Sequence, residues 1–437
     1  MLTFHLDTWG REPMIRLYHK YKNKDFLYLI PLIALSLRIR LQYFYYLKSS
    51  GKGFPDAADS QWYLSYARSL IADFKIGLHM NDILYFGYNL LLALLLAVFK
   101  DPVTIVLIQA ITASLSIILV FKIARMLFNR TTAIIASLIY AYSWDITLWS
   151  TYILTDSFFI SLLLLCVYFL LKSLESDNKM FTVLFVATSA YLLIFRPTGI
   201  LSLAFIMIYL VIRMDKRNAL AFAKKHKYRI GIVLTVSAAV FVCILLAGKL
   251  NPLAASLQFN AKMVLYNVYA KGWIYDHATP NDVFYRPDYT IDIGNSLILS
   301  FLIHNWDHVL AIYARRIVAF LGRWVWQTDL SSVSGIKKFA SDMLPFVLFL
   351  IGSVAAIVNG LFKKASIIWL IILAVFVFCI MLFIDGMYRY KAPSIPFIGI
   401  AAAYGAYSII RVIVGFVRKG AGKLPWKNKI RDWKAGV

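Results

Sequence analysis

A charged side chain inside or beside a long apolar run is costly to keep there, so each one demands a reason. Five such places stand out in this sequence. The stretch from Phe54 through Pro55, Asp56, Ala57, Ala58 and Asp59 begins as a helix would. Asp59 can cap that helix, Tyr63, Tyr66, Ala67 and Leu70 share one of its faces, and Arg68 follows. A carboxylate there is either an ordinary N-cap or a group that can take a proton. Thr155-Asp156 opens an apolar run and carries the same two readings. Phe195-Arg196-Pro197-Thr198-Gly199 and Tyr388-Arg389-Tyr390-Lys391-Ala392-Pro393-Ser394-Ile395-Pro396 set cations at turns. Arg38, with Arg40, lies within the first apolar run, where its plain reading is snorkelling to the interface. Guanidinium groups grip phosphate oxygens two at a time, and a carboxylate can act as general base. Carboxylates at 59 and 156 with arginines at 38, 196 and 389 therefore suit an anionic substrate whose hydrocarbon tail the bilayer delivers.

The elements that must hold these residues are membrane helices. Hydrophobic residues make up 61% of the 437, and charged residues only 16%. A soluble domain has no interior for that much apolar surface, and apolar runs of about 18 or more residues recur along the chain. The net charge of +24 invites a nucleic-acid reading. The positions of the charges exclude it, because Lys and Arg gather in short connections between spans and at the termini, as topology requires. Cys166, Cys243 and Cys379 all sit in apolar runs, which leaves neither a disulfide framework nor zinc spacing. The polar, basic residues 1–25 read as a cytoplasmic lead-in to a signal-anchor span.

Residues 26–47 form the predicted first span, with Arg11, Arg16, Lys20, Lys22 and Lys24 placing its start in the cytoplasm. Residues 48–100 follow as an outside loop, in which 88–99 is apolar but too short to cross and should lie in the interface. Further spans are predicted at 102–121, 132–150, 155–171, 181–195, 198–212, 230–248, 343–362, 367–384 and 395–417. Basic turns at Lys122, Arg125 and Arg130, at residues 213–229 and at Lys363 and Lys364 mark the cytoplasmic side, as does the basic C-terminal tail. Residues 249–342, rich in Tyr, Trp and Asp, form a second large outside region. The expectation is one all-α membrane domain over 1–437, with about ten transmembrane helices and interfacial helices in the first outside loop. Hydropathy shows no internal repeat, the usual pointer to an inverted-repeat transporter.

Several stretches resemble the GT-C superfamily of membrane glycosyltransferases, in particular relatives of protein O-mannosyltransferases and aminoarabinose transferases (glycosyltransferase family 39-like). They are Asp59 with Tyr63, Ala67 and Arg68; Gly87-Tyr88 before a short apolar helix; and Ala124-Arg125-Met126-Leu127-Phe128. Thr155-Asp156, Arg196 to Gly199, and Arg389-Tyr390 with Pro393 and Pro396 complete the set. These landmarks occur in the family's order over roughly residues 30 to 415. Two departures stand out: Ser60 occupies the place where many relatives carry a second acid, and Asp82-Ile83-Leu84-Tyr85-Phe86 replaces a basic, proline-bearing run.

The resemblance implies an inverting, metal-independent transfer of a sugar from a polyprenyl-phosphate donor to an acceptor hydroxyl, with no cofactor. The transfer would take place on the non-cytoplasmic face of the plasma (inner) membrane, and the acceptor would be a glycan, a lipid or a protein. Asp59 would be the general base, and Arg389, Arg196 and Arg38 would hold the donor phosphate. Asp156, Tyr63, Arg68 and Tyr88 would support the site. Two other readings stand beside this one: a lipid-linked glycan flippase or transporter, and a non-catalytic GT-C-like subunit. A transporter needs polar groups along a path through the bundle, whereas these charges gather at one face.

Overall fold

The structure is a computed structural model that describes residues 24–76 except 52, 83–214, 269–381 except 276, and 387–421, with isolated positions between 224 and 265. The N-terminal lead-in, most of the basic 213–229 connection, the expected span at 230–248 and the end of the C-terminal tail lie outside the described residues. Among the described residues the chain is helical, with no strand.

One helix measures the bundle. α8, Thr155–Glu175, carries Asp156 in its first turn and Glu175 at its last residue. Its 21 residues span about 31 Å at 1.5 Å per residue, the thickness of a bilayer's hydrocarbon core. At the Glu175 end, Lys364 lies 3.5 Å from Glu175 and donates to the Met126 carbonyl at 2.6 Å. Asp25, just before α1 (Phe26–Ser49), accepts from Arg130 at 3.0 Å and lies 3.6 Å from Arg125. The charges predicted to be cytoplasmic thus share contacts near one end of the bundle. The Asp156 end is the opposite one.

Among the described residues six helices are long and apolar enough to cross a membrane, and a bent pair makes up to seven. Besides α1 and α8, they are Pro102–Leu127, Val333–Val358, Phe362–Ile380 and Ala392–Phe416. The second of the expected spans is two helices, α4 (Pro102–Leu115) and α5 (Ile117–Leu127), joined at Ser116. The Ser116 hydroxyl turns back to the Thr112 carbonyl at 2.9 Å and across to Ser161 Oγ at 2.8 Å, which satisfies polar groups where the ladder breaks. α3 (Phe86–Phe99), α6 (Arg130–Ala141), α9 (Lys179–Phe195) and α10 (Pro197–Arg213) are shorter apolar helices. The expected span at 132–150 breaks at residue 142, and the short α7 (Trp144–Trp149) follows. Within residues 48–100, expected as an outside loop, α2 (Ala58–Asp73) packs on α3.

The described part of residues 249–342, expected as a second outside region, is not all loop. α11 (Leu297–His304) and α12 (Trp306–Leu321) meet at an 89° bend. Val264, Leu265, Tyr269, Phe301, Val309 and Ile312 form a small core of their own. α13 starts at Val333, ten residues before the expected span, because Ser332 accepts from the Gly335 amide at 3.0 Å and starts the helix there. α14 (Phe362–Phe376) ends in a π-helical turn, Val377–Met381. A four-residue α15 (Met387–Tyr390) then leads through Lys391 into the last helix, α16 (Ile395–Ala421).

Candidate active site

The expected cap at Asp59 is not what starts α2. The helix starts after Ala57 with no side-chain cap; beside it, Asp56 Oδ1 accepts from the Ala57 amide at 2.9 Å and its Oδ2 from Gln61 Nε2 at 2.6 Å. Asp59 lies in the first turn without a capping bond, so its carboxylate is free to face elsewhere. The apolar face read from the sequence is the buried one, with Tyr63, Tyr66, Ala67 and Leu70 all buried. Tyr63 meets Tyr88 edge-on with centroids 4.9 Å apart, and Tyr88 meets Phe195 at 5.7 Å. Such offset and edge-to-face pairs fix ring geometry more tightly than aliphatic contacts. A chain of rings therefore runs from the Asp59 helix through α3 to the residue before Arg196.

Two glycines let that chain close. Gly87 lies against Ile194, where an added Cβ would come within 3.0 Å, and the Gly87 carbonyl accepts from the Tyr191 hydroxyl at 2.9 Å. At the turn between α9 and α10 a Cβ on Gly199 would collide with the Leu192 carbonyl. Arg196 is extended there and Pro197 opens α10 with its fixed φ. The tight turn drives Arg196 into the bundle, where it is 1% exposed.

Four charges converge on this point from segments far apart in sequence. Arg196 Nη1 donates to Asp156 Oδ1, and Arg389 Nε donates to Asp156 Oδ2 at 2.7 Å. Arg389 Nη1 donates to Asp59 Oδ2 at 2.5 Å, so one guanidinium bridges both carboxylates. The cluster is neutral as a set, yet its members differ in exposure: Asp156 is fully enclosed, whereas the Asp59 side chain is 50% exposed. Burial works against the charge on Arg389, but Asp156, Tyr390 and Asp59 outweigh it and hold its pKa above the ordinary arginine value. Burial also lifts the Tyr63 phenol well above its ordinary pKa and pushes Tyr85 up to about 12, so both remain neutral hydroxyls near pH 7. Among these groups, Asp59 is the carboxylate that an incoming hydroxyl can reach.

Of the residues expected at the site, the structure brings together Asp59, Asp156, Arg196 and Arg389, with Tyr63 and Tyr88 packed beneath. Asp156 was expected as a supporting residue and is the hub that both arginines share. Two expectations need correction. Arg38 is exposed on α1, and none of the described contacts joins it to the cluster; Arg40, two residues on, is the enclosed one. The Arg40 guanidinium bonds Ser36 Oγ at 2.7 Å and the Tyr140 carbonyl at 3.2 Å, a structural anchor between helices. Arg68 is exposed on α2, away from the buried face that carries Tyr63.

From sequence, Tyr390 is only a landmark beside Arg389, with no role expected at the site. Its ring lies 4.9 Å from the Arg196 guanidinium and 5.6 Å from that of Arg389, a cation–π partner for both. Lys391, named in the same stretch but given no role there, is buried; its Nζ donates to the Gly322 carbonyl at 3.0 Å and the Ala319 carbonyl at 3.2 Å, tying the end of α12 to the Arg389 segment. Among the described residues no group of three or more His, Cys, Asp or Glu gathers as a metal ion would need.

Residues 86–246 match the family model described as dolichyl-phosphate-mannose-protein mannosyltransferase. Among solved structures, the archaeal oligosaccharyltransferase AglB from Archaeoglobus fulgidus, in complex with an inhibitory peptide and a dolichol-phosphate, is similar in fold. The TM-score is 0.51 over 93% of this chain, at 14% identity. This chain spans about half, 52%, of the AglB chain. No curated protein matches the sequence. With these likenesses and the helical bundle in view, the chain is an all-α, multi-pass integral membrane protein of the GT-C fold.

Proposed function

We propose that this protein transfers a sugar from a polyprenyl-phosphate carrier to an acceptor hydroxyl, with Asp59 as general base and Arg389 and Arg196 as the phosphate-binding cations. The observation that carries this reading is the Arg389 guanidinium, shared between a buried carboxylate and a half-exposed one. Asp156 holds the arginine in place. Asp59 is half exposed, so an acceptor can approach it.

In this reading a donor phosphate competes with Asp59 for Arg389. Once Nη1 turns to the phosphate, the Asp59 carboxylate is released to accept a proton. The acceptor oxygen then attacks the anomeric carbon as its proton passes to Asp59. The bond from that carbon to the phosphate oxygen breaks, and the electron pair leaves with the polyprenyl phosphate. Arginines fixed beforehand stabilise the charge that develops on the leaving group, with no reorganisation at the moment of reaction. Attack from the side opposite the phosphate inverts the anomeric centre.

The site's face follows from charge. The far end of the bundle carries Arg125, Arg130 and Lys364 in short connections, which favours the cytoplasm there and the non-cytoplasmic side for Asp59. The family match at 86–246 and the likeness to a structure holding dolichol-phosphate support a lipid-linked donor.

The test is purified Asp59→Asn protein assayed with a polyprenyl-phosphate sugar. Transfer should fall by about 10²–10⁴ while donor binding persists, and Asp56→Ala should transfer at the wild-type rate. Wild-type turnover by Asp59→Asn would remove Asp59 from the chemistry.

A further inference from the structure

On the far side of the Arg389 segment lies a cleft of about 270 Å³ that the proposed transfer does not use. It is bounded by α6, residues 142–145, the end of α12 with the residues that follow it, the middle of α13 and the first turns of α16. Its lining is polar at Asp145, Arg323 and Lys391 and apolar at Ile139, Leu348 and Ile398, among others. Tyr142 and Trp144 line it and are themselves 64% and 42% exposed, aromatic residues of the kind that sit at the headgroup level of a bilayer. Gly399 keeps the apolar part open: an added Cβ there would press to 3.2 Å on Ile139.

Asp145 is 7% exposed, and its Oδ1 is buried with no hydrogen-bond partner among the described residues. It forms no ion pair with Lys391, although the two share the cleft. A buried carboxylate oxygen without a donor is expensive and calls for one supplied from outside. The third donor of the Lys391 ammonium is likewise left after its two carbonyl bonds. An occupant must therefore bring a donor, preferably cationic, to Asp145 and an acceptor, preferably anionic, to Lys391 and Arg323. It must also lay hydrocarbon along the apolar walls.

We propose that this cleft binds an aminophospholipid: a headgroup whose primary ammonium meets Asp145 and whose phosphate meets Lys391 and Arg323, with acyl chain packed along α16. Neither Arg389 nor Arg196, the proposed phosphate-binding cations, lines this cleft, so it is distinct from the proposed donor site. Because Lys391 is two residues from Arg389, a lipid seated there steadies the segment that carries the phosphate-binding arginine.

The experiment is native mass spectrometry of the full-length protein in detergent, titrated separately with phosphatidylethanolamine, phosphatidylcholine, phosphatidylglycerol and a polyprenyl phosphate. Phosphatidylethanolamine should be retained about tenfold better than phosphatidylcholine, whose quaternary ammonium cannot donate a hydrogen bond to Asp145. Asp145→Asn should erase that preference while leaving retention of polyprenyl phosphate unchanged. Equal retention of the three phospholipids by the wild type would overturn the proposal without any variant. So would an ethanolamine preference that survives Asp145→Asn, or competition between the polyprenyl phosphate and phosphatidylethanolamine for one site. None of these readouts depends on sugar transfer.

Discussion

Replacing Asp156 by alanine should unfold the protein long before replacing Asp59 does, although both carboxylates touch the same arginine. The difference lies in what each removal strands. Arg196 is 1% exposed, Asp156 is its one carboxylate partner, and its Nε and Nη2 already lack partners among the described residues. In Asp156→Ala its guanidinium is left with only the rings of Phe159 and Tyr390, at 5.7 and 4.9 Å, and Arg389 loses its buried anchor. Breaking a buried ion pair on one side costs about 3–5 kcal/mol. That is a large share of a typical total stability of roughly 5–15 kcal/mol. Asp59 is half exposed, and Arg389 keeps Asp156 when it goes, so Asp59→Ala falls in the range of surface pairs, about 0–1 kcal/mol. Unfolding of the detergent-solubilised protein, followed by tryptophan fluorescence, measures both variants against the wild type. Adding Arg196→Met to Asp156→Ala should recover part of the loss, since an apolar side chain of similar size leaves no buried charge. If the two single alanine variants unfolded within about 0.5 kcal/mol of each other, the view of Asp156 as the buried anchor would fail.

Arg389→Ala should weaken donor binding and lower turnover by about 10²–10³, and Lys should rescue only part, since a point charge cannot bridge two partners as the guanidinium fork does; donor affinity and kcat measured on both variants decide this. Gly199→Ala should cost about 1–3 kcal/mol, because its methyl meets the Leu192 carbonyl and comes within 3.4 Å of the Phe159 ring; the unfolding midpoint reads the loss. In a cysteine-free background, Ser50→Cys and Arg286→Cys should react with an impermeant thiol reagent from the non-cytoplasmic side, and Lys363→Cys only after the membrane is opened. Labelling of the first two from the cytoplasm alone would invert the bundle and move the site to the other face.

The span order was legible because charge and apolar length are local properties, and each helix carries its own. The site was legible only in its parts. Asp59, Arg196 and Arg389 each stood out against the membrane, but Asp156 at the start of an apolar run looks like any acid at a helix N-terminus. Its role comes from partners 40 and 233 residues away, and no local pattern encodes such pairings. Arg38 and Arg40 show the converse difficulty. Two residues apart on a helix, they face nearly opposite ways, and a span apolar on all sides does not mark its inner face. Packing against Ser36 and Tyr140 makes that choice, and it enclosed the other arginine. The extended length of α13 was hidden because Ser332 starts the helix in polar sequence, before the apolar run begins.

The two short helices flanking Arg196 bear on the depth at which the proposed phosphate-binding groups lie. α9 and α10 have 17 residues each, about 25 Å, some 5 Å short of a typical hydrocarbon core. With their other ends near the basic face, their connecting turn stops inside the membrane boundary instead of emerging from it. Arg196 therefore sits at the level where the chains give way to headgroups. A phosphate on a polyprenyl tail is held by its tail at that same level, since the hydrocarbon cannot leave the bilayer. Arg389 reaches the same carboxylate from a separate segment, which Lys391 ties to the end of α12. The cations thus need not extend into the bilayer to find the donor, nor must the donor rise out of it. An acceptor arriving from the aqueous side meets Asp59, the one carboxylate of the cluster that is half exposed there. Lengthening α9 and α10 by a turn each, with the turn sequence kept, should separate Arg196 from Asp156 and abolish donor binding. Retained donor binding in that variant would show that depth is not what the short helices set.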